Sequence, residues 1–164
     1  MLFDRRKPKA KTGRTFLVVV DDSEEMRAAL HYASRRARAC GGRVALLRVV
    51  PETEFHPFAF VGSLMQDEAR AQAEQLLQDM AADVQESSGE LPGLYVREGQ
   101  TRDELLKLLR EEPAISILVL AAGTGPDGPG PLVTALSGKY INRLAVPLTI
   151  VPGHLSKADL DAIT

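Results

Sequence analysis

The chain has no tryptophan, a single cysteine and few aromatic residues, 5% of 164. Cys40 alone cannot close an intramolecular disulfide, and a zinc site built from several cysteines is excluded. One free thiol suits a reducing compartment, so a cytoplasmic location is expected. Long hydrophobic runs are also missing. The stretch from Phe16 to Val20 is far shorter than the ~20 apolar residues that span a bilayer. No membrane partner is expected. Basic residues open the chain without an apolar segment behind them, which argues against a secretory signal. Nor does one sign of charge dominate. Twenty Lys and Arg against twenty-two Asp and Glu leave a net charge of -2, too little basic surplus for a nucleic-acid footprint. What remains is 45% apolar and 26% charged, the balance of one ordinary folded domain.

The charge is unevenly placed. Residues 1–14 carry Arg5, Arg6, Lys7, Lys9, Lys11 and Arg14 against Asp4, a surplus of five, so the rest of the chain sums to -7. This tail has no apolar period. Residues 1–13 are read as a basic flexible arm that solubilises the chain. The folded unit is expected over 14–153, and residues 154–164 read as a short, loose polar tail.

Five apolar, β-branched runs follow the arm: Thr15–Val20, Arg43–Val50, Leu94–Arg97, Ile115–Ala121 and Pro147–Val151. Four are nearly continuous in Val, Leu and Ile, the pattern of parallel strands buried on both faces. The third is weaker and belongs nearer an edge. Helical patterns separate them. Met26, Leu30, Ala33, Ala37 and Cys40 share one face, with Ser23 as the expected N-cap, Gly41 and Gly42 as the stop and Cys40 as a small buried residue. A second helix runs through Met65, Ala69, Ala73, Leu76, Leu77, Met80 and Val84 to the Ser87-Ser88-Gly89 turn. A third uses Leu105, Leu106, Leu108 and Leu109, capped by Thr101 or Asp103 and stopped before Pro113. A fourth uses Leu132, Leu136, Tyr140, Ile141 and Leu144.

The alternation predicts an α/β fold: a single doubly wound domain with a five-stranded parallel sheet of order 3-2-1-4-5 and helices on both faces. Ligands of such folds sit at the carboxyl ends of the strands. Between the second strand and second helix, Pro51–Gly62 carries Phe55, Phe58 and Phe60. It reads either as a lid over that crevice or as a loop whose aromatics pack on the body.

Several motifs fail on inspection. Asp21 and Asp22 end the first strand, where two carboxylates suit magnesium. That opening is similar to a response-regulator receiver domain. A receiver also needs an Asp closing its third strand and a Lys closing its fifth. Here those ends read Arg97-Glu98-Gly99 and Val151-Pro152-Gly153. Ser137-Gly138-Lys139 hints at a P-loop, but Val133 stands where the first Gly belongs and Tyr140 where Ser or Thr belongs. His31, His56 and His154 are scattered, Ser34 and Ser137 lack a nucleophile elbow, and no nucleophile, base and oxyanion site assembles. No catalytic or protein-held metal residue is assigned.

The loop from Gly123 to Gly130 is ambiguous. Glycines let a backbone approach phosphate and form an anion nest. Yet Pro126, Pro129 and Pro131 remove three donors, and a surface turn of this composition is common.

Taken together, Phe16-Leu-Val-Val-Val-Asp-Asp-Ser-Glu24, Ala28-Ala-Leu30, Gly42–Val50, Val96–Gln100 and Leu144–Pro152 resemble the universal stress protein family over roughly residues 14–153. Members that bind ATP carry G-x2-G-x9-G-[ST] after the fourth strand. Gly125, Gly128 and Gly138 fit that spacing, while Lys139 replaces the final Ser or Thr and the loop is about four residues longer after the strand. The resemblance implies that Asp21 and the Val49 backbone hold the adenosine and that Gly125, Gly128, Gly138 and Lys139 face phosphates. Asp22, in place of a small Gly, would repel a phosphate. It further implies a stress-response protein with an adenine-nucleotide switch, ATP with magnesium as the ligand, at most slow hydrolysis, and a homodimer paired through the last strand. The alternative is a module of the same fold that binds a protein partner and no nucleotide. A nucleotide-dependent transferase ranks last, since no Ser-Gly-Gly-x-Asp-Ser phosphate loop follows the first strand.

Overall fold

A computed structural model describes residues 13–52 and 57–164. Strands β1 (Thr15–Val19), β2 (Arg43–Val50), β3 (Gly93–Glu98), β4 (Ile115–Ala122) and β5 (Leu148–Pro152) form one parallel sheet in the order β3-β2-β1-β4-β5. The expected topology is present, and the weakest apolar run, β3, lies at an edge. Helices α1 (Met26–Cys40), α2 (Ala59–Ser88), α3 (Thr101–Glu111), α4 (Pro131–Ser137) and α5 (Lys157–Ile163) cover both faces.

The side-chain alternation of the strands divides the interior into two cores. Leu17 and Val19 of β1, with Ala45, Leu47, Leu118 and Leu120, pack against α3 and α4. Phe16, Val18 and Val20, with Val44, Leu46, Val119 and Val151, pack against α1, α2 and α5. Leu105, Leu106, Leu108 and Leu109 of α3 are buried, each contributing about 1.5–3 kcal/mol by removal from water. On α1 the buried residues are Ala28, Ala29, Ala33, Ser34 and Ala37, small enough to bring the helix close to the sheet. A register shift between β1 and β4 skips Ser116, whose hydroxyl oxygen accepts the Thr15 N–H at 3.3 Å.

Element ends depart from expectation where side chains compete for backbone donors. Ser23 does not cap α1. Its N–H donates to Asp21 Oδ1 at 2.9 Å, and its hydroxyl donates to the same oxygen, so helix begins only at Met26. Gly41 ends α1 in the left-handed conformation as expected, at φ 67°. Cys40 is exposed rather than buried, because the helix turns its last residues past Ala37 away from the sheet. Neither Thr101 nor Asp103 caps α3. Both lie inside its first turn, behind Gln100. The fourth helix stops at Ser137. The chain leaves helix at Gly138 (φ -113°, ψ -110°), and Ile141–Arg143 forms a separate 3-10 turn. Helix α2 begins at Ala59, before the expected start, and leaves Phe58 and Phe60 68% and 79% exposed. Phe55 and His56, like residues 1–12 of the arm, lie outside the described residues.

Residues 154–164 are not a loose tail. Ser156 and Asp159 form a reciprocal capping box at the start of α5. Leu160 is buried against the α1 side of the sheet, and Asp161 bridges to His31 at 2.7 Å and Arg35 at 3.1 Å. The two Ser156 hydrogen bonds hold the Asp159 carboxyl below its ordinary 3.8. A depressed carboxylate stabilises the folded state at pH values above its unfolded range, and that contribution disappears as pH falls through the lowered value. The Asp159 side-chain resonance should therefore titrate below 3.8, and Ser156→Ala, which keeps the backbone N–H that is the larger cause, should raise it only part of the way back. A midpoint at or above 3.8 in the parent protein would contradict the capping box.

Candidate functional site

The strand order reverses between β1 and β4, which opens a crevice at their carboxyl ends. A cleft of about 290 Å³ occupies it. Val19 and Val20 come from the end of β1, Arg48 and Val49 from β2, and Leu120 and Ala121 from β4. Asp21, Ser23, Glu25 and Met26 line the β1–α1 side, and Thr101 enters from the first turn of α3. The glycine loop contributes Pro129 and Gly130, followed by Pro131, Leu132 and Val133 of α4. The walls are largely apolar, with a few polar groups among them, as in a small-molecule site.

Asp21 and Val49, the two positions that the resemblance implies for a nucleoside, both line this cleft. Asp21 is held in a turn by its hydrogen bonds from Ser23, so its carboxylate is oriented before any ligand arrives. Gly125, Gly128, Gly138 and Lys139 are not part of the lining. The Gly128 N–H donates to the Gly125 carbonyl at 3.1 Å, closing an exposed turn ahead of the cleft. Gly138 ends α4, and Lys139 extends over the Tyr140 ring, 5.5 Å from its centre. The longer proline-containing loop moves the glycine facing the cleft to Gly130, whose φ of 102° suits glycine.

Electrostatics shape the mouth. Arg48 reaches from β2 to the end of β1, donating to the Val20 carbonyl at 3.2 Å and pairing with Asp22 at 3.3 Å. Asp22 does not line the cleft, and its charge is directed to Arg48. Asp21 and Asp22 thus face different partners: Asp21 accepts from Ser23 and Asp22 pairs with Arg48. Among the described residues no three His, Cys, Asp or Glu side chains gather as a metal-ligand set. Glu25 stands where α1 meets the loop. A Cβ on Gly123 would lie 3.1 Å from Glu25 Oε1 and 2.8 Å from the Gly128 carbonyl oxygen. A Cβ on Gly153 would collide with the Glu25 Cβ. Two glycines thus admit the start of α1 to the strand ends. Neither Glu25 nor Arg48 was singled out from sequence as a site residue. Their proximity to the cleft follows from the crossover geometry, although the position of Arg48 two residues before the end of β2 was a usable signal.

A sequence model of the universal stress protein family matches residues 13–152. The chain belongs to that family. No curated protein compared with it matches significantly. Among solved structures it is similar to the universal stress protein UspA from Lactobacillus plantarum, with TM-score 0.69, 19% identity, and 87% of this chain and 99% of that chain covered. It is similar to a universal stress protein from Arabidopsis thaliana with AMP bound, with TM-score 0.58, 15% identity, and 85% and 91% covered. It is also similar to a universal stress protein from Archaeoglobus fulgidus in complex with dAMP, with TM-score 0.54, 19% identity, and 84% and 97% covered. At these identities the likeness is one of fold.

The loop geometry is testable without a ligand. Gly123→Ala forces its Cβ against the Gly128 carbonyl and should cost about 1–3 kcal/mol in urea unfolding. Gly125→Ala meets nothing within 4 Å and should stay within about 0.5 kcal/mol of the parent. Equal effects would show that the loop is not packed on α1 in this way.

Proposed function

We propose that this universal stress protein binds an adenine nucleotide in the cleft at the carboxyl ends of β1, β2 and β4, and that occupancy acts as a regulatory switch in a stress response. The observation that carries the reading is the convergence of Asp21, Val49 and Gly130 on one largely apolar cleft at the switch point of the sheet. Related structures with AMP and dAMP bound support it. Val49, Leu120, Ala121 and Leu132 offer apolar surface for a base, and the Asp21 carboxylate offers an acceptor for ribose hydroxyls. Gly130 takes the place proposed from sequence for Gly125 and Gly128 beside the sugar-phosphate. Among the described residues no set for nucleophilic or general-base chemistry supports a fast reaction, so the nucleotide is read as a ligand. ATP with magnesium is one member of the ligand class to be tested, the magnesium carried by the phosphates.

Calorimetric titration of AMP and of ATP, with and without magnesium, tests this reading. A saturable signal of one per subunit in the micromolar range, about 8 kcal/mol, is expected. Asp21→Ala should weaken it about tenfold by removing a charged acceptor. Absence of heat at millimolar nucleotide would overturn the nucleotide reading and leave the partner-binding module in its place.

The same reading extends to a homodimer through β5. This strand is at the sheet edge and exposes Ile150 by 40%. An unpaired edge is a template for strand addition across a twofold axis. Sedimentation should find a dimer that Ile150→Asp converts to monomer. A parent protein that stays monomeric at high concentration would refute the pairing.

A further inference from the structure

Three cations surround one ring where the start of α3 meets the chain after α4. The Arg102 guanidinium lies 4.1 Å from the centre of the Tyr140 ring, the Lys139 ammonium 5.5 Å and the Arg143 guanidinium 5.9 Å. Tyr140 is a fixed platform: it packs against the core, and its N–H donates to the Ala135 carbonyl at 2.9 Å. Among the described residues, Lys139 and Arg143 have no carboxylate within 4.0 Å, and Arg102 has only its neighbour Asp103, at 3.2 Å. Positive charge with so little compensation around one ring attracts an anion. Two planar guanidinium forks and one ammonium suit the oxygens of phosphate.

The position matters as much as the charge. Thr101 lines the cleft, and Arg102 follows it on the first turn of α3. Leu132 and Val133 line it from α4, the helix that leads to Lys139 and Tyr140. On the opposite side stand the carboxylates of Asp21 and Glu25, which repel an anionic tail. Pro126, Pro129 and Pro131 withhold three backbone donors from the glycine loop itself.

We propose that Arg102, Lys139 and Arg143, held around Tyr140, form a phosphate-binding site beside the cleft. It takes over from the loop backbone the neutralisation of phosphate charge. The ligand chemistry is a chain of phosphates. Its source is either the tail of a nucleotide seated in the cleft, which rests on the nucleotide reading above, or free inorganic polyphosphate, which does not.

The test is calorimetry on the full chain with adenosine, ATP and inorganic tripolyphosphate. It compares the parent with a triple variant, Arg102→Gln with Lys139→Gln and Arg143→Gln, and with a charge-keeping control, Lys139→Arg. The three side chains are at least partly exposed, and unchanged thermal unfolding would confirm that the variants fold. Tripolyphosphate should bind the parent, lose about tenfold or more in the triple variant and be retained in the control. If the source is a nucleotide tail, ATP should bind about tenfold more tightly than adenosine, and that advantage alone should vanish in the triple variant. Tripolyphosphate binding without adenosine or ATP binding would uphold the cluster as a site for free polyphosphate while the nucleotide reading falls. Binding of adenosine with no tripolyphosphate binding and no ATP advantage would overturn the cluster and leave the cleft reading standing. Undiminished phosphate binding in the triple variant would also overturn it.

Discussion

Burial of β1 on both of its faces is the constraint on which the rest of the molecule depends. Leu17 and Val19 point into one core, and Phe16, Val18 and Val20 into the other. A central strand of this kind is stable only if helices cover both sides of the sheet, and parallel neighbours then need crossover connections. The crossovers place β2 on one side of β1 and β4 on the other. Connections leaving β1 and β4 diverge to opposite faces, so the backbone cannot close over the strand ends. The cleft is the space left by that divergence.

Within the cleft, the close approach of α1 to the strand ends sets the chemistry. Gly123 and Gly153 lack the side chains that would hold the helix away, and Glu25 fills the space. The mouth therefore carries the carboxylates of Asp21 and Glu25, with the nearby positive charge of Arg48 directed towards Asp22. An anion entering here meets positive potential on the α3–α4 side, where Arg102, Lys139 and Arg143 surround Tyr140. The surroundings of the cleft are electrostatically lopsided, acidic on the α1 side and basic towards α3 and the chain after α4.

Family membership and low identity are compatible for a physical reason. The fold needs apolar residues at alternating strand positions and along one stripe of each helix, which many sequences supply. Residues 13–152 keep that pattern, while solved structures of the same fold share 15–19% identity. Loop residues are under no such packing rule.

The sequence by itself determined the class, the strand order and the weak edge strand, because burial on two faces writes continuous Val, Leu and Ile runs into the chain. The strand ends near Asp21 and Val49 were legible as well, whereas the assignment of these two residues to a ligand came from the family resemblance. The tertiary structure decided the rest. Ser23 looked like a cap until Asp21 captured its N–H, and a spacing of glycines could not reveal that Gly130 would face the cleft. The C-terminal residues looked polar and loose, yet one buried leucine, a capping box and the bridge to His31 dock them. Arg102, Lys139 and Arg143 meet only because α3 and the chain after α4 pack on the same face of the sheet. Periodicity reports which side of an element is buried. It carries no information about which distant side chains that burial brings together.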